Sequence, residues 1–190
     1  AYEDPADTVA EATEHFRRME TDVHVLPAMT RADALEGDFA GTARAARAVY
    51  VTGGSPMHLR AVLKDTPLLS ALVDAWSGGA TVAVAAESCS VLCSHMVDSR
   101  GGAFTVGLGL LTTLTIIPRF DKWSPDKRHR TISLAAPDLV VAGIDEGTAL
   151  VRAPDGTWSV TGTGSVHVFA GGNEVGLVGL PDRLNPDAGI

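Results

Sequence analysis

The sequence predicts an α/β fold with a mostly parallel sheet, helices on both faces and a carboxy-terminal β-hairpin region. Between residues 23 and 97, short apolar runs alternate with helical patterns, which implies right-handed crossovers between parallel strands. After residue 114, six strand-like runs are separated by Gly-rich or Asp-Gly turns, as in hairpins. The 190 residues contain no internal repeat and no linker, so we expect one domain.

The first half begins with a helix that Asp4 and Pro5 open, because proline suits the first helical turn. The run 48–52 predicts a buried strand that ends in Gly53-Gly54. The remaining predicted elements of this half are helices over residues 31–48, 56–63, 67–76 and 88–97 and strands over residues 23–26 and 81–86. The strands predicted in the second half cover residues 114–117, 139–142, 148–152, 158–163, 165–169 and 174–180.

The composition excludes several classes of partner. A formal net charge of −8 opposes phosphate binding, so we expect no nucleic-acid partner. No apolar run is long enough to span a bilayer, so we expect no membrane partner. Two cysteines are too few for a secreted disulfide scaffold, which favours a reducing compartment. Because the chain begins at Ala1 without methionine and has no signal-peptide pattern, we expect a trimmed or partly ordered product, located in the cytoplasm.

Neither a metal nor a cofactor is expected from the spacing of possible ligands. Cys89, Cys93 and His95 fall on one predicted helix, where the two cysteines share a face and His95 points elsewhere. A disulfide between the cysteines would have poor geometry, so we interpret both as small apolar residues.

The segment 81–92 is an apolar strand that leads into a helix through a turn of small residues. This pattern is typical of a nucleophile elbow, in which Ser or Cys occupies the turn. Here the turn residue is Ala86. With Gly53, Gly54 and Glu87 at neighbouring strand ends, we expect a ligand-binding cradle for an anion or a carbonyl oxygen. The alternative is that the two glycines only turn a strand into a helix.

A basic segment stands out in this acidic chain. It is expected to bind a small anionic ligand or an acidic peptide, chiefly through Arg128 and Arg130. The alternative is a solvated loop. Its members are Arg119, Lys122, Lys127, Arg128, His129 and Arg130.

Four segments together resemble peptidase family S51, the cyanophycinases and dipeptidase E. They are VTGGSP at residues 51–56, PLLSAL at 67–72, GLGLL at 107–111 and GIDEGTA at 143–149. The resemblance covers roughly residues 23–169. It implies a class I glutamine amidotransferase-like fold, which is a flavodoxin-like three-layer sandwich.

At the positions that match the family's catalytic residues, the sequence departs twice. Aligned without gaps, the family's nucleophilic serine falls on Ala86, and the elbow's second glycine falls on Ser88. The histidine base falls on Arg119, whose guanidinium stays protonated at any ordinary pH. The third catalytic position is retained as Glu146, which we expect to form an ion pair with Arg119. The alternative is that Glu146 is only a retained strand-end residue.

Two further family positions, an Asp and a Gln that help to hold the Asp-Arg substrate, have become Ile117 and Pro118. Taken together, the departures favour a non-catalytic homologue that acts as a ligand-binding, partner or accessory protein. A second hypothesis keeps an enzyme, with Ser88 or Cys89 as a relocated nucleophile, His129 as the base and Glu146 as its orienting group. That enzyme is expected to cleave Asp-containing dipeptide or amide bonds.

The resemblance also implies partners. Family members often form twofold dimers, so we expect a homodimer or a heteromer with an active homologue. The family begins with a glycine-rich strand, whereas this chain starts at the helix that follows it. We therefore expect a partner to cover the sheet edge that the absent strand would leave open.

Overall fold

The computed structural model describes residues 5–36, 38–98, 100 and 102–185. The chain divides into two compact units, of which the first ends at Ser88 and the second begins at Cys89. The single-domain organisation stays a prediction. Asp4, which was expected to open the first helix, lies outside the described residues. No helix in the described residues is both long and apolar enough to cross a membrane.

The first unit contains five helices and one pair of parallel strands within its described residues. The strands β1 and β2 pair in register, with Ala48 opposite Thr81 and Val51 opposite Val84. The elements in chain order are α1 (Pro5–Arg18), α2 (Arg31–Glu36), α3 (Phe39–Ala45), β1 (Ala48–Val51), α4 (Pro56–Leu63), α5 (Pro67–Ser77) and β2 (Thr81–Val84).

Two helices of this unit begin where local signals place them. Ser55 precedes α4, and its side-chain oxygen accepts a hydrogen bond from the backbone N–H of His58 at 3.3 Å. Thr66 caps α5 in the same way, accepting from the N–H of Leu69 at 3.2 Å. A proline occupies the first turn of each helix, where its missing N–H is not needed.

Three predictions for this unit were wrong. The helix over residues 31–48 is two helices, of which the first ends at Glu36 and the second runs from Phe39 to Ala45. Residues 23–26 form no strand, since an apolar run becomes a strand only where a neighbouring strand accepts its hydrogen bonds. Strand β1 is not buried: its residues alternate between exposed and half-buried positions.

The second unit is built around a mixed four-stranded sheet with the order β10-β9-β6-β5. In this sheet β5 and β6 are parallel, and β9 runs antiparallel to both β6 and β10. Two separate antiparallel pairs, β3–β4 and β7–β8, flank it in the sequence. The elements are β3 (His95–Val97), β4 (Phe104–Val106), β5 (Leu114–Pro118), α6 (Pro125–Leu134), β6 (Val140–Ile144), β7 (Thr148–Arg152), β8 (Trp158–Gly162), β9 (Val166–Ala170) and β10 (Asn173–Glu174).

The core of this unit lies against β5, all of whose residues are buried. A cluster of buried side chains includes Val97, Ile117, Phe120 and Val141. Gly143 on β6 lies directly under the Phe120 ring, because a Cβ at Gly143 would meet that ring at 2.5 Å. This close contact packs the segment after β5 onto the sheet.

The second unit also departs from the predicted elements. The helix predicted over residues 88–97 is a 3-10 helix, Ala86–Leu92, followed by β3. Cys89, Cys93 and His95 therefore do not share one helix. Strand β4 and helix α6 were missed. The last predicted strand, 174–180, is a short β10 and a 3-10 helix that begins after Gly176, a residue with a positive φ of 68°.

The sheets confirm the α/β class, but they do not confirm the predicted mostly parallel, flavodoxin-like sandwich. Within the described part of the chain, only β1–β2 and β5–β6 are parallel pairs. The remaining pairs are antiparallel, and most of the sheets have two strands. A mostly parallel sheet is thus not what these sheets show.

Candidate active site

The predicted elbow has an unusual backbone at Ala86. Strand β2 ends at Val84, and Ala85 donates its N–H to the carbonyl of Val51 at 3.0 Å. Ala86 follows with φ of 50°, in the left-handed region that non-glycine residues rarely adopt, and its side chain is exposed. Such a conformation costs on the order of 1–3 kcal/mol and is typical of functional turns.

The turn after β1 packs against this elbow. A Cβ placed on Gly53 would lie 3.0 Å from the Cβ of Ala86, so glycine allows the two turns to meet. Gly54 has a φ of 152°, which also favours glycine. The Ser88 hydroxyl donates to the Gly54 carbonyl at 3.4 Å. Gly53 and Gly54 therefore contact the elbow as well as turning the chain after β1.

The structure does not place Ser88 as an accessible nucleophile. Ser88 is only 1% exposed, and its hydroxyl faces the Gly54 carbonyl. Glu87 and Cys89 are half-buried neighbours in the 3-10 helix. A helix of seven residues in the 3-10 conformation is also a weaker source of aligned N–H groups than the longer helix that the sequence predicted.

Arg119 and Glu146 form the ion pair that the sequence predicts. Arg119 Nε lies 3.3 Å from Oε1 of Glu146, and the two side chains are 47% and 52% exposed. Arg119 adopts φ of 50° and ψ of 46°, directly after the buried strand β5. Ala86 and Arg119, at which the sequence analysis expects the family's nucleophile and base, thus both have a left-handed backbone.

Two residues that the sequence analysis did not assign to this site complete the cluster. Lys122 Nζ lies 3.2 Å from Oε2 of Glu146 and 2.9 Å from Oδ2 of Asp121. Asp121 Oδ1 accepts the backbone N–H of Glu146 at 2.8 Å. Both oxygens of the Glu146 carboxylate consequently face a cation.

The pKa shifts in the cluster follow from these contacts. The hydrogen bond from the Glu146 N–H, with smaller contributions from Lys122, lowers the pKa of Asp121 below its usual 3.8. The carboxylates of Asp121 and Glu146 raise the pKa of Lys122 above its usual 10.5. Asp121 is therefore ionised and Lys122 protonated at neutral pH.

Helix α6 carries the rest of the basic segment, but its residues have different roles. The Arg128 guanidinium lies over the Phe120 ring at 4.7 Å, and its Nη2 donates to the Asp121 carbonyl at 2.8 Å. Lys127 Nζ lies 3.7 Å above the Trp123 ring. His129 and Arg130 are exposed. The Arg128 guanidinium thus packs within the unit, and its ligand-binding role stays a prediction.

The alternative triad stays a prediction. Arg119 and Lys122 neutralise Glu146, and no hydrogen bond or ion pair joins it to His129. Ser88 is buried, as described above. The part of the chain that the structure describes also contains no group of three His, Cys, Asp or Glu side chains placed to hold a metal ion.

Comparison with known proteins identifies related sequences. The chain is 29% identical over 157 residues to a cyanophycinase from Synechococcus elongatus, covering 77% of this chain and 49% of that protein. It is 29% identical over 156 residues to the cyanophycinase of Trichormus variabilis, covering 77% of this chain and 52% of the relative. The chain thus spans about half the length of these curated relatives.

A solved structure is similar as well. The crystal structure of a peptidase from an acI-B1 Actinobacterium superposes with a TM-score of 0.77 at 28% identity, covering 91% of this chain and 75% of that one. The model of peptidase family S51 matches residues 1–158. This match covers the elbow and the Arg119–Glu146 pair, and the chain therefore belongs to peptidase family S51.

Proposed function

We propose that this chain is a non-catalytic member of family S51 that acts as a ligand-binding or accessory protein. The observation that carries the proposal is the side chain at the elbow. Ala86 is exposed and has the left-handed backbone of a nucleophile position, but its methyl group has no lone pair with which to attack a carbonyl. The chain therefore has the backbone conformation of an elbow but no side-chain oxygen or sulfur there to act as the nucleophile.

The position that matches the base supports the same proposal. A general base must accept a proton near neutral pH, and the Arg119 guanidinium does not. In the family the retained glutamate orients a histidine; here the Glu146 carboxylate is held between Arg119 and Lys122. A carboxylate neutralised in this way stabilises a cation and assists no proton transfer.

The positions that match the family's substrate pocket point in the same direction. Ile117 is 0% exposed, and Pro118 is buried beside it at the end of β5. Both are apolar, so neither replaces the hydrogen bonds that Asp and Gln give to a substrate. Loss of these contacts would weaken binding of the family's substrate even if a nucleophile were present.

The cations near Glu146 suggest the class of ligand. Arg119 is about half exposed, so a carboxylate from solution can replace Glu146 as its partner. Exposed Arg130 adds positive charge on α6. We propose an acidic peptide segment or a small carboxylate as the ligand, and an active homologue as the alternative partner.

We also propose a finer fold class and a cellular location for this chain. The parallel pairs β1–β2 and β5–β6 are compatible with the flavodoxin-like, glutamine amidotransferase-like sandwich that we propose. Cys89 and Cys93 are not joined by a disulfide, and we propose a cytoplasmic location on that basis.

A gain-of-function series tests the loss of catalysis. The wild type, Ala86→Ser, Arg119→His and the double variant are treated with a fluorophosphonate probe, and the labelled residue is identified by mass spectrometry. We expect no labelling of the wild type and the strongest labelling of the double variant at position 86. Histidine tolerates the left-handed backbone at position 119, and Glu146 would be free to orient it.

Two results would overturn the proposal. The first is labelling of wild-type Ser88, or alkylation of Cys89 that abolishes hydrolysis of an Asp-Arg dipeptide, because either shows a relocated nucleophile. The second is turnover of that dipeptide by the wild type that Cys89→Ala or Ser88→Ala removes. Circular dichroism on every variant shows whether the fold is intact.

Ligand binding is tested separately with an Asp-Asp dipeptide at low salt, using isothermal titration calorimetry. We expect Arg119→Ala to weaken binding at least tenfold and the exposed α6 variant His129→Ala to leave it unchanged. Binding that is insensitive to Arg119 would place the ligand elsewhere.

A further inference from the structure

A depression in the second unit lies beside the turn that joins β7 to β8. Its volume is about 490 Å³, which is within the range of small-molecule sites. One cationic and two acidic side chains line it, and they are distinct from the Arg119–Glu146 cluster. The lining residues are Arg152, Pro154, Asp155, Gly156, Thr157 and Asp182.

The Arg152 guanidinium is the cationic part of this depression. Its Nη2 donates to the backbone carbonyl of Asp182 at 2.7 Å, and its Cζ lies 5.9 Å from the centre of the Trp158 ring. The indole Nε1 of Trp158 donates in turn to the Pro181 carbonyl at 3.1 Å. These contacts hold the guanidinium at the depression and occupy only part of its hydrogen-bonding capacity.

Another donor of the same guanidinium is shielded from water and lacks an acceptor. Arg152 Nε is buried, and none of the residues that the structure describes accepts a hydrogen bond from it. A buried donor without an acceptor is energetically unfavourable, so a group that accepts this hydrogen bond would be bound favourably. A carboxylate is suited to this, because it can accept from Nε and an Nη group together after a small rotation of the side chain.

The acidic part of the depression opposes binding of a simple anion. Asp155 Oδ1 accepts the backbone N–H of Thr157 at 2.9 Å, and this hydrogen bond, with a smaller contribution from Arg152, lowers the pKa of Asp155 below its usual 3.8. Asp155 is therefore ionised at neutral pH. The carboxylate of exposed Asp182 adds a second negative charge. A ligand that carries both a carboxylate and a cationic group matches this set of charges.

The turn between β7 and β8 leaves room for such a ligand. Gly156 has a φ of 88°, which favours glycine, and a Cβ placed there would lie 3.6 Å from Nη2 of Arg152. A larger side chain at this position would therefore occupy space beside the guanidinium. Pro154 supplies an apolar surface against which the carbon atoms of a ligand can pack.

We propose that this depression binds a small zwitterion, of which a free α-amino acid is the simplest example. The ligand carboxylate pairs with Arg152, and its ammonium group pairs with Asp155 and Asp182. The site uses none of the residues of the Arg119–Glu146 cluster, so it is a second binding site and does not depend on what that cluster binds.

The test is a titration of the isotope-labelled full chain followed by heteronuclear NMR. The signals to follow are the amides of Gly156 and Thr157, the Nε–H of Arg152 and the indole N–H of Trp158. The probes are L-alanine, propionate, which lacks the ammonium group, and ethylamine, which lacks the carboxylate. We expect L-alanine to shift these signals saturably and the other two probes to bind on the order of tenfold more weakly, because each forms only one of the ion pairs.

Three variants assign the binding to named side chains. Asp155→Asn removes a charge but keeps an oxygen that can accept the Thr157 N–H, and Arg152→Gln removes the cation. We expect each to weaken L-alanine binding on the order of tenfold. Arg100→Gln is the matched control, because Arg100 is an exposed arginine that pairs with Asp98 and does not line the depression. It should leave the affinity unchanged.

Three results would overturn the proposal. The first is that L-alanine causes no saturable shift of these signals, and the second is that propionate binds as tightly as L-alanine, which would indicate a site for simple anions. The third is that Asp155→Asn binds L-alanine as tightly as the wild type. Circular dichroism checks the fold of each variant, and Asp155→Asn decides the question if Arg152→Gln unfolds.

Discussion

A Cβ on Gly53 would lie 3.0 Å from the Cβ of Ala86, closer than two such carbons normally approach. The turn after β1 therefore limits what the elbow after β2 can carry. Because Ala86 also has a positive φ, the chain maintains an unfavourable backbone at the very position where a nucleophile would sit. Substitution of Gly53 can therefore test whether this contact maintains the backbone of Ala86.

The first prediction concerns Gly53→Ala. The added methyl would crowd Ala86, and we expect destabilisation of about 1–3 kcal/mol, the usual cost of overpacking. Gly41→Ala is the control, since Gly41 lies in α3 and a Cβ added there would meet no other atom within 4 Å, so alanine should stabilise by about 0.5–1 kcal/mol. Urea unfolding followed by circular dichroism measures both changes. Equal effects of the two substitutions would mean that Gly53 and Ala86 are not in contact.

Acid sensitivity is predicted for Asp121. Its pKa is lowered in the folded chain, so its contribution to stability is present above the unfolded value near 3.8 and is lost as the pH falls through the lower folded value. Asp121→Asn should therefore reduce stability at pH 7 and flatten the loss of stability on acidification below about pH 4. Thermal unfolding from pH 7 to pH 2 measures the profile.

Asp7→Asn provides the comparison for that profile. Asp7 is an exposed carboxylate in the first turn of α1, away from the Glu146 cluster in sequence. If both variants gave the same profile, the interaction of Asp121 with the Glu146 N–H would not govern acid sensitivity.

Arg128→Lys tests whether Arg128 packs or binds ligand. Lysine lacks the planar guanidinium that lies on Phe120 and reaches the Asp121 carbonyl. We expect a loss of about 1–2 kcal/mol in unfolding free energy. Arg130→Lys, on the exposed side of the same helix, should change stability by less than about 0.5 kcal/mol. Equal stability of the two variants would show that Arg128 contributes no packing.

The sequence was most informative where signals are local. Ser55-Pro56 and Thr66-Pro67 combine a cap with a first-turn proline, and α4 and α5 begin there. In contrast, β3 has three residues whose apolar pattern also fits a helix, and its strand conformation depends on pairing with β4. A short apolar run does not indicate which strand, if any, it will pair with.

In the candidate site, too, the sequence predicted motif positions better than it predicted contacts between distant residues. Ala86, Arg119 and Glu146 were assigned to the site by the motif resemblance alone, since their positions follow from aligned segments. Asp121 was missed as a site residue because its contact is with a backbone N–H 25 residues away, which no local pattern indicates. Burial of Ser88 was missed because the sequence implied an ordinary helix, whereas the 3-10 helix turns that hydroxyl toward Gly54.

The last prediction separates the two thiols. Burial raises the pKa of the Cys93 thiol to about 12, so almost none of it is thiolate at pH 8, and the side chain is 0% exposed. Cys89 is only partly buried. Iodoacetamide at pH 8 should therefore modify Cys89 in the native protein and reach Cys93 only after denaturation, as mass spectrometry of tryptic peptides would show. Cys89→Ala should abolish native labelling. Rapid native labelling of Cys93 would mean that the segment between the 3-10 helix and β3 opens readily, because the thiol reacts only when it reaches solvent.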